Sequence, residues 1–228
     1  VRIAALLGVP VKFIWTHDAF RVGEDGPTHE PVEQEAQIRL MEKLQNHKGQ
    51  DSVRVFRPAD ADETTVCWAM AMENTDTPTA LILSRQGIAK LPAGNNYEEA
   101  RKGAYIVAGS DENPDVILVA SGSEVSTLES GCEALRRDGI KVRVVSAPSE
   151  GLFRRQSAEY QEAVLPYNVK KFGMTAGLPC TLEGLVGIGP NSKVFGMKSF
   201  GFSAPYKVLD EKLGYTGQNV YEQVKAML

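Results

Sequence analysis

The segment WTHDAFRVGEDGPTHEPVEQ, at residues 15–34, concentrates polar side chains that could act on a ligand. It contains His17 and His29, two of the three histidines in the chain, with Asp25 between them. Because imidazole has a reference pKa of about 6.5, a histidine near a carboxylate can transfer protons or hydrogen-bond sugar hydroxyls near neutral pH. Glycine and proline residues in the same loop allow tight turns that aim these side chains into a pocket.

Two arginines extend this set, because Arg57 and Arg85, like His17, each follow the end of a predicted strand. In parallel α/β sheets, ligands bind outside the carboxyl ends of the strands, so the three side chains are expected to share one edge. Together they predict an anion site, in which Arg85 binds a phosphate or carboxylate through two parallel hydrogen bonds. Arg57 could instead be a structural residue that orients the turn at Asp60.

Spacing alone leaves other interpretations open, and it favours a structural role for these residues. Two histidines can share a surface loop by chance. A metal site at His17, Asp25 and His29 is another interpretation, but it lacks a compact ligand pair such as His-x-x-x-His. The ASGSE turn at residues 120–124 could cradle a phosphate before a helix, or it could be structural.

The elements that position these residues follow from hydrophobic patterning. The β-branched and aromatic run VKFIW predicts a buried strand, and two further apolar runs predict strands after it. Apolar residues four apart predict a helix that begins at Pro31, and Asp60 and Glu63 are spaced as the capping box of a second helix. The three predicted strands are residues 11–15, 53–56 and 79–84. This alternation of strands and helices is typical of a parallel sheet.

A second α/β unit is predicted after a glycine- and proline-rich linker between residues 87 and 103. Residues 115–146 have the pattern strand, glycine turn, amphipathic helix and strand. Further strands are expected at NVKKFGM and KVFGM, and further helices at PYKVLDEKLG and GQNVYEQVKAML. We therefore predict an α/β fold of two domains, residues 1–92 and 93–228, each a mainly parallel sheet flanked by helices. The first is expected to be incomplete at its N-terminus, because VRIAALLG has the pattern of a helix end without its beginning.

Composition excludes several functional classes. The net charge is −4 and the 25 basic residues are scattered, which argues against a nucleic-acid partner. No apolar run approaches the roughly 20 residues that span a bilayer, so no membrane association is expected and a cytoplasmic location is predicted. Cys67, Cys132 and Cys180 are predicted to be buried, reduced thiols.

Five stretches of the chain, taken in order, resemble the transketolase family. They are THDAFRVGEDGPTHEPVEQ, RPADADET, LILSRQ, VASGSEV and SFGFSAPYKVLDEKLGYTGQNV. The resemblance extends over essentially the whole chain. Dihydroxyacetone synthase is a near neighbour, and deoxyxylulose-phosphate synthases and the β subunits of 2-oxo acid dehydrogenases resemble the loop more loosely.

The resemblance implies a homodimeric enzyme of the pentose phosphate pathway that uses thiamine diphosphate and magnesium to move a two-carbon ketol unit between sugar phosphates. His17 and Arg85 match positions that bind the sugar phosphate, and Asp25 matches the carboxylate that recognises a substrate hydroxyl. His29 matches the catalytic histidine beside the reaction centre. The cofactor itself performs the carbanion chemistry in such enzymes.

The chain also departs from the family pattern. The Gly-Asp-Gly…Asn motif that binds diphosphate and magnesium is absent, as are the acidic and aromatic residues that contact the aminopyrimidine ring. The chain is therefore expected to contain the end of a pyrimidine-binding domain and a complete C-terminal domain, and to be inactive and without bound cofactor on its own. The alternative is a non-catalytic folding or dimerisation module of a related thiamine-diphosphate enzyme.

Overall fold

Two β-sheets organise the protein, whose computed structural model describes residues 1–92, 97–109 and 113–228. The first sheet has the strand order β1-β3-β2, and all of its strands are parallel. The second has the order β4-β6-β5-β7-β8 and is parallel except for β4, which is antiparallel to β6. The strands are β1 (Lys12–Trp15), β2 (Arg54–Phe56), β3 (Thr79–Ile82), β4 (Tyr105–Gly109), β5 (Val116–Ala120), β6 (Val142–Ser146), β7 (Lys170–Met174) and β8 (Ser192–Phe195).

Helices flank both sheets, which confirms the predicted α/β class. They are α1 (Arg2–Leu7), α2 (Gln34–Met41), α3 (Ala61–Glu73), α4 (Glu124–Arg137), α5 (Glu150–Phe153), α6 (Ala158–Val164), α7 (Cys180–Val186), α8 (Tyr206–Leu213) and α9 (Gly217–Lys225), with 3₁₀ helices at Phe20–Val22 and Tyr97–Lys102. The predicted domain boundary at 92/93 adjoins residues 93–96, which lie outside the described residues, as do residues 110–112. Residues 1–92 are called the N-terminal part below, and residues 97–228 the C-terminal part.

The edge strand β1 corrects one prediction. A strand forms as predicted, but it is not buried, because among the described residues it pairs only with β3. As a result Ile14 is 45% exposed. The central strand β3, which has a neighbour on each side, is buried along its whole length.

Helix α2 begins three residues later than predicted. Pro31 and Val32 precede the helix, and the Val32 carbonyl accepts a hydrogen bond from the Leu178 backbone N–H at 3.2 Å. Leu178 belongs to the C-terminal part, so a tertiary contact uses the carbonyl that a helix beginning at Pro31 would have used. Local patterning could not reveal this competition.

The two parts share one hydrophobic core. Phe20, Phe56 and Leu81 from the N-terminal part belong to the same buried cluster as Leu118 and Phe172 from the C-terminal part. Burial of this kind is the main source of stability in a globular protein.

The cysteines behave differently from one another. Cys67 and Cys132 are buried as predicted, and burial raises the pKa of both thiols. Cys180 is exposed at the start of α7, so the prediction of a buried thiol is wrong there. In the described part of the chain, no helix combines the length and apolar character required to cross a membrane.

Candidate functional site

The loop after β1 has an unusual backbone conformation. His17 and Ala19 have positive φ angles of 69° and 57°, which residues other than glycine rarely adopt. Between them, the Asp18 backbone N–H donates to the Leu83 carbonyl at 3.2 Å, directly after β3. The ends of β1 and β3 therefore lie side by side, and His17 lies at the carboxyl edge of the sheet as predicted.

His17 and His29 lie on the same cleft, which has a volume of about 440 Å³. Both rings are exposed, and each Nδ1 lies 2.9 Å from the hydroxyl of the preceding threonine, Thr16 or Thr28. These contacts leave the Nε2 atoms for a ligand. His17 also lines a second cleft of about 270 Å³, which lies along β1 and α2.

The C-terminal part completes this cleft and supports its loop. Phe200 lines the cleft beside the two histidines, and the Ser203 hydroxyl donates to the Glu24 carbonyl at 2.7 Å. Glu30 is buried against Gly201, where an added Cβ would collide with the carboxylate and force the Glu30 side chain to move. Burial raises the pKa of Glu30. Contacts from the C-terminal part thus support the loop between the two histidines.

Asp25 and Arg85 lie outside the cleft that the two histidines line. Asp25 lies on an exposed turn closed by a hydrogen bond from the Gly26 N–H to the Gly23 carbonyl, at 3.2 Å. Arg85 is exposed and follows β3 by three residues. Neither side chain lines the cleft of the histidines. Their roles in binding therefore stay predictions.

Arg57 does not belong to an open anion site, which corrects the prediction that it shares the binding edge. It is 1% exposed, and its Nε donates to Asp18 Oδ2 at 2.8 Å. Its Nη1 donates to the Ser121 carbonyl at 2.7 Å and to the Glu124 carboxylate. Because two buried carboxylates already neutralise this guanidinium, it is not available to a ligand. The alternative of a structural arginine is correct, although its partners are not at the Asp60 turn.

Sequence reasoning missed Arg21, which is also buried. Its Nη1 donates to Glu124 Oε1 at 2.6 Å and to the Ser123 hydroxyl at 2.7 Å, and its Nε donates to Asp210 Oδ1 at 2.7 Å. All three partners belong to the C-terminal part. No motif marked Arg21, because its partners lie about a hundred or more residues away in the chain. The contacts of Ser123 and Glu124 agree with the structural interpretation of the ASGSE turn.

The described residues do not form a metal site. Across residues 1–92, 97–109 and 113–228, no group of three or more His, Cys, Asp or Glu side chains could hold a metal ion. The metal interpretation of His17, Asp25 and His29 therefore has no support.

The fold and the cleft together define the class of protein to which this chain belongs. This is an α/β protein with a polar cleft at the carboxyl end of a parallel strand, and a second α/β unit is packed against that cleft. Two family profiles match the chain: "Transketolase, pyrimidine binding domain" at residues 1–90 and "Transketolase-like TK C-terminal domain" at residues 103–216.

Individual relatives agree with the profiles. A curated transketolase of Halalkalibacterium halodurans is 43% identical over 234 residues, which cover all of this chain and 33% of the relative. A solved transketolase of Leishmania mexicana is 37% identical with a TM-score of 0.86, over 99% of this chain and 31% of that one. A Pichia stipitis transketolase solved in complex with sedoheptulose 7-phosphate is 34% identical with the same TM-score of 0.86, over 99% of this chain and 31% of that one. The chain belongs to the transketolase family, and it spans about a third of the length of the curated relatives it matches.

Proposed function

We propose that this chain supplies part of the substrate site of a transketolase, which moves a two-carbon ketol unit between sugar phosphates. The observation that carries this proposal is the position of His17 and His29 on one cleft beyond β1. A polar cleft with two free imidazole nitrogens suits a ligand rich in hydroxyl groups. The family membership and the sugar-phosphate complex of the Pichia stipitis relative support the same substrate class.

Each predicted residue has a distinct task in this proposal. Arg85, a permanent cation, binds the phosphate through parallel N–H···O bonds, and His17 contributes a further donor. The Asp25 carboxylate accepts a hydrogen bond from a substrate hydroxyl. His29 exchanges a proton with the substrate at its Nε2 atom, near the reacting carbons.

Other features of the proposal come from the family resemblance. Thiamine diphosphate with magnesium, held elsewhere in the longer protein, supplies the carbanion chemistry when bound. The proposal includes a homodimer located in the cytoplasm and a place in the pentose phosphate pathway. The residues of this chain bind, orient and exchange protons with the sugar phosphate.

The test is the variant Arg85→Ala in the full-length enzyme. Loss of a charge-assisted pair of hydrogen bonds weakens substrate binding by about 2 kcal/mol. KM for a phosphorylated ketose donor is therefore expected to rise about thirtyfold, since about 1.4 kcal/mol corresponds to a factor of ten. Steady-state kinetics of ketol transfer measure this change.

A non-phosphorylated ketol donor is the control. Its kinetics should be nearly unaffected by Arg85→Ala, because it has no phosphate for the guanidinium to bind. Equal losses with both donors would contradict the phosphate assignment. They would leave Arg85 with a structural role only.

A further inference from the structure

The backbone that carries His17 is strained and needs external support. Positive φ angles at His17 and Ala19, neither of which is glycine, are costly. Such conformations persist only where surrounding contacts determine them, and they concentrate at functional sites. The contacts that stabilise this segment are therefore candidates for a functional role.

Two side chains in the segment hold it in place, and both lead to Glu124. Asp18, directly after His17, pairs with Arg57 at 2.7 Å, and Arg57 in turn contacts Glu124. Arg21, three residues after Asp18, contacts the other carboxylate oxygen of Glu124 at 2.6 Å. One carboxylate thus contacts the strained segment at two points: through Arg57 at Asp18, between His17 and Ala19, and through Arg21, two residues after Ala19.

The C-terminal part fixes the position of the Glu124 carboxylate. It is fully buried at the first residue of α4, where its Oε2 also accepts from the Ala176 backbone N–H at 3.1 Å. Burial opposes ionisation of this carboxyl, but Arg57 and Arg21 outweigh it and lower the pKa of Glu124. The carboxylate is therefore charged at neutral pH. Removal of its charge would take from two buried guanidinium groups the carboxylate that they share, and would leave Arg57 paired with Asp18 and Arg21 with Asp210.

We propose that Glu124 is a positioning residue for substrate binding, which acts through Arg57, Asp18 and Arg21 to fix the orientation of His17. Glu124 itself does not line the cleft of the two histidines. The kinetic part of this proposal rests on the proposed function, whereas the effect on the loop does not. Through these contacts, the C-terminal part would then contribute to the substrate site of the N-terminal part.

Hydrogen–deuterium exchange of the full-length enzyme tests the effect on the loop. Glu124→Gln keeps the shape of the side chain but removes its charge, so exchange in peptides covering residues 16–23 is expected to rise at least tenfold. Peptides from β5 should stay protected. The matched control is Glu133→Gln on the same helix, whose side chain is 81% exposed and should have no effect. Unchanged exchange at residues 16–23 in Glu124→Gln would overturn the proposal.

A kinetic cycle separates positioning from a general loss of stability. Glu124→Gln and His17→Ala are each expected to raise KM for a phosphorylated donor, the former at least tenfold. Because both act on the same imidazole, the double variant should show much less than the product of the two effects. A full product would overturn the proposal. If Arg85→Ala did not affect binding of phosphorylated donors selectively, the sugar-phosphate assignment would be wrong. The hydrogen–deuterium exchange experiment would still test the effect of Glu124 on the loop.

Asp18→Asn serves if Glu124→Gln does not fold. This variant weakens the contact with Arg57 while the contacts of Glu124 with both arginines remain. It is expected to raise exchange at residues 16–23 in the same way. Wild-type exchange and wild-type KM in Asp18→Asn would overturn the proposal.

Discussion

His29 lines the cleft, and one of its two ring nitrogens lies beside a threonine hydroxyl. The Thr28 hydroxyl lies 2.9 Å from Nδ1, so Nε2 is the atom that meets a ligand. If His29 exchanges a proton with the substrate, His29→Ala should lower kcat about a hundredfold or more, with a smaller change in KM. Steady-state kinetics of the full-length enzyme with a sugar-phosphate donor measure both parameters.

The third histidine provides the control. His47 lies in an exposed loop, so His47→Ala removes the same side chain away from the cleft and should leave both parameters unchanged. A His29→Ala variant that changes only KM would show that the imidazole binds substrate without a role in proton transfer.

Residue types and strand ends were enough to find the two histidines of the cleft, but they could not separate Arg57 from Arg85. Both arginines follow strands of the same sheet. The difference lies in partners: Asp18 is 39 residues from Arg57 in the chain, and Glu124 is 67 residues away. Contacts over such distances are set by tertiary packing, which the sequence around one strand end does not encode.

Helix α3 depends on its N-cap residue, Asp60. Asp60 Oδ1 accepts from the Glu63 backbone N–H at 2.9 Å, which is the predicted cap. Its Oδ2 also accepts from the Leu91 N–H at 3.0 Å and from the Tyr97 hydroxyl at 2.9 Å. Asp60→Ala should therefore lower the free energy of unfolding by about 2–3 kcal/mol, the sum of a lost cap and two further hydrogen bonds. Denaturant-induced unfolding measures this loss.

A neighbouring aspartate gives the comparison. Asp62 lies in the first turn of the same helix and forms an exposed ion pair with Lys90 at 2.6 Å. Asp62→Ala should cost less than about 1 kcal/mol, because exposed ion pairs contribute little. Similar losses in the two variants would contradict the special role of Asp60.

Hydrophobic patterning in the sequence predicted the helices and strands that depend on local interactions, and it missed those that depend on pairing with distant segments. The strand–helix–strand unit of β5, α4 and β6 was predicted because its apolar periodicity is strong. Strand β4 was missed: it forms by antiparallel pairing with β6, more than thirty residues away in the chain. The capping box was half right, since Glu63 directs its carboxylate to the Ala59 N–H and to Ser146.

The two parts of the molecule also meet at Glu63, which is fully buried on α3. Its carboxylate accepts from the Ser146 hydroxyl of β6 at 2.7 Å. Burial raises the pKa of Glu63 to about 7 from its ordinary value of 4.5, so the folded state binds this proton more tightly than the unfolded state. The stabilisation is complete below about pH 4.5 and is lost as the pH rises through about 7.

Wild-type protein should therefore lose stability relative to Glu63→Gln between pH 5 and pH 8, by up to about 3 kcal/mol. Glutamine stays neutral throughout this range and carries no such dependence. Unfolding curves at pH 5, 6.5 and 8 measure the difference, with the exposed Glu98→Gln as the control. Parallel stability profiles for wild type and Glu63→Gln would contradict a raised pKa.

The buried contacts of Glu124 have a consequence for recombination between relatives. Arg21 and Arg57 come from the N-terminal part, while Glu124, the carboxylate that they share, comes from the C-terminal part. A chimera that joins this N-terminal part to a C-terminal part without an acid at the equivalent position would bury Arg21 and Arg57 without the carboxylate that they share. The N-terminal and C-terminal parts are therefore expected to be inherited together. One part can be exchanged between relatives only if the buried charges that pair with it are exchanged as well.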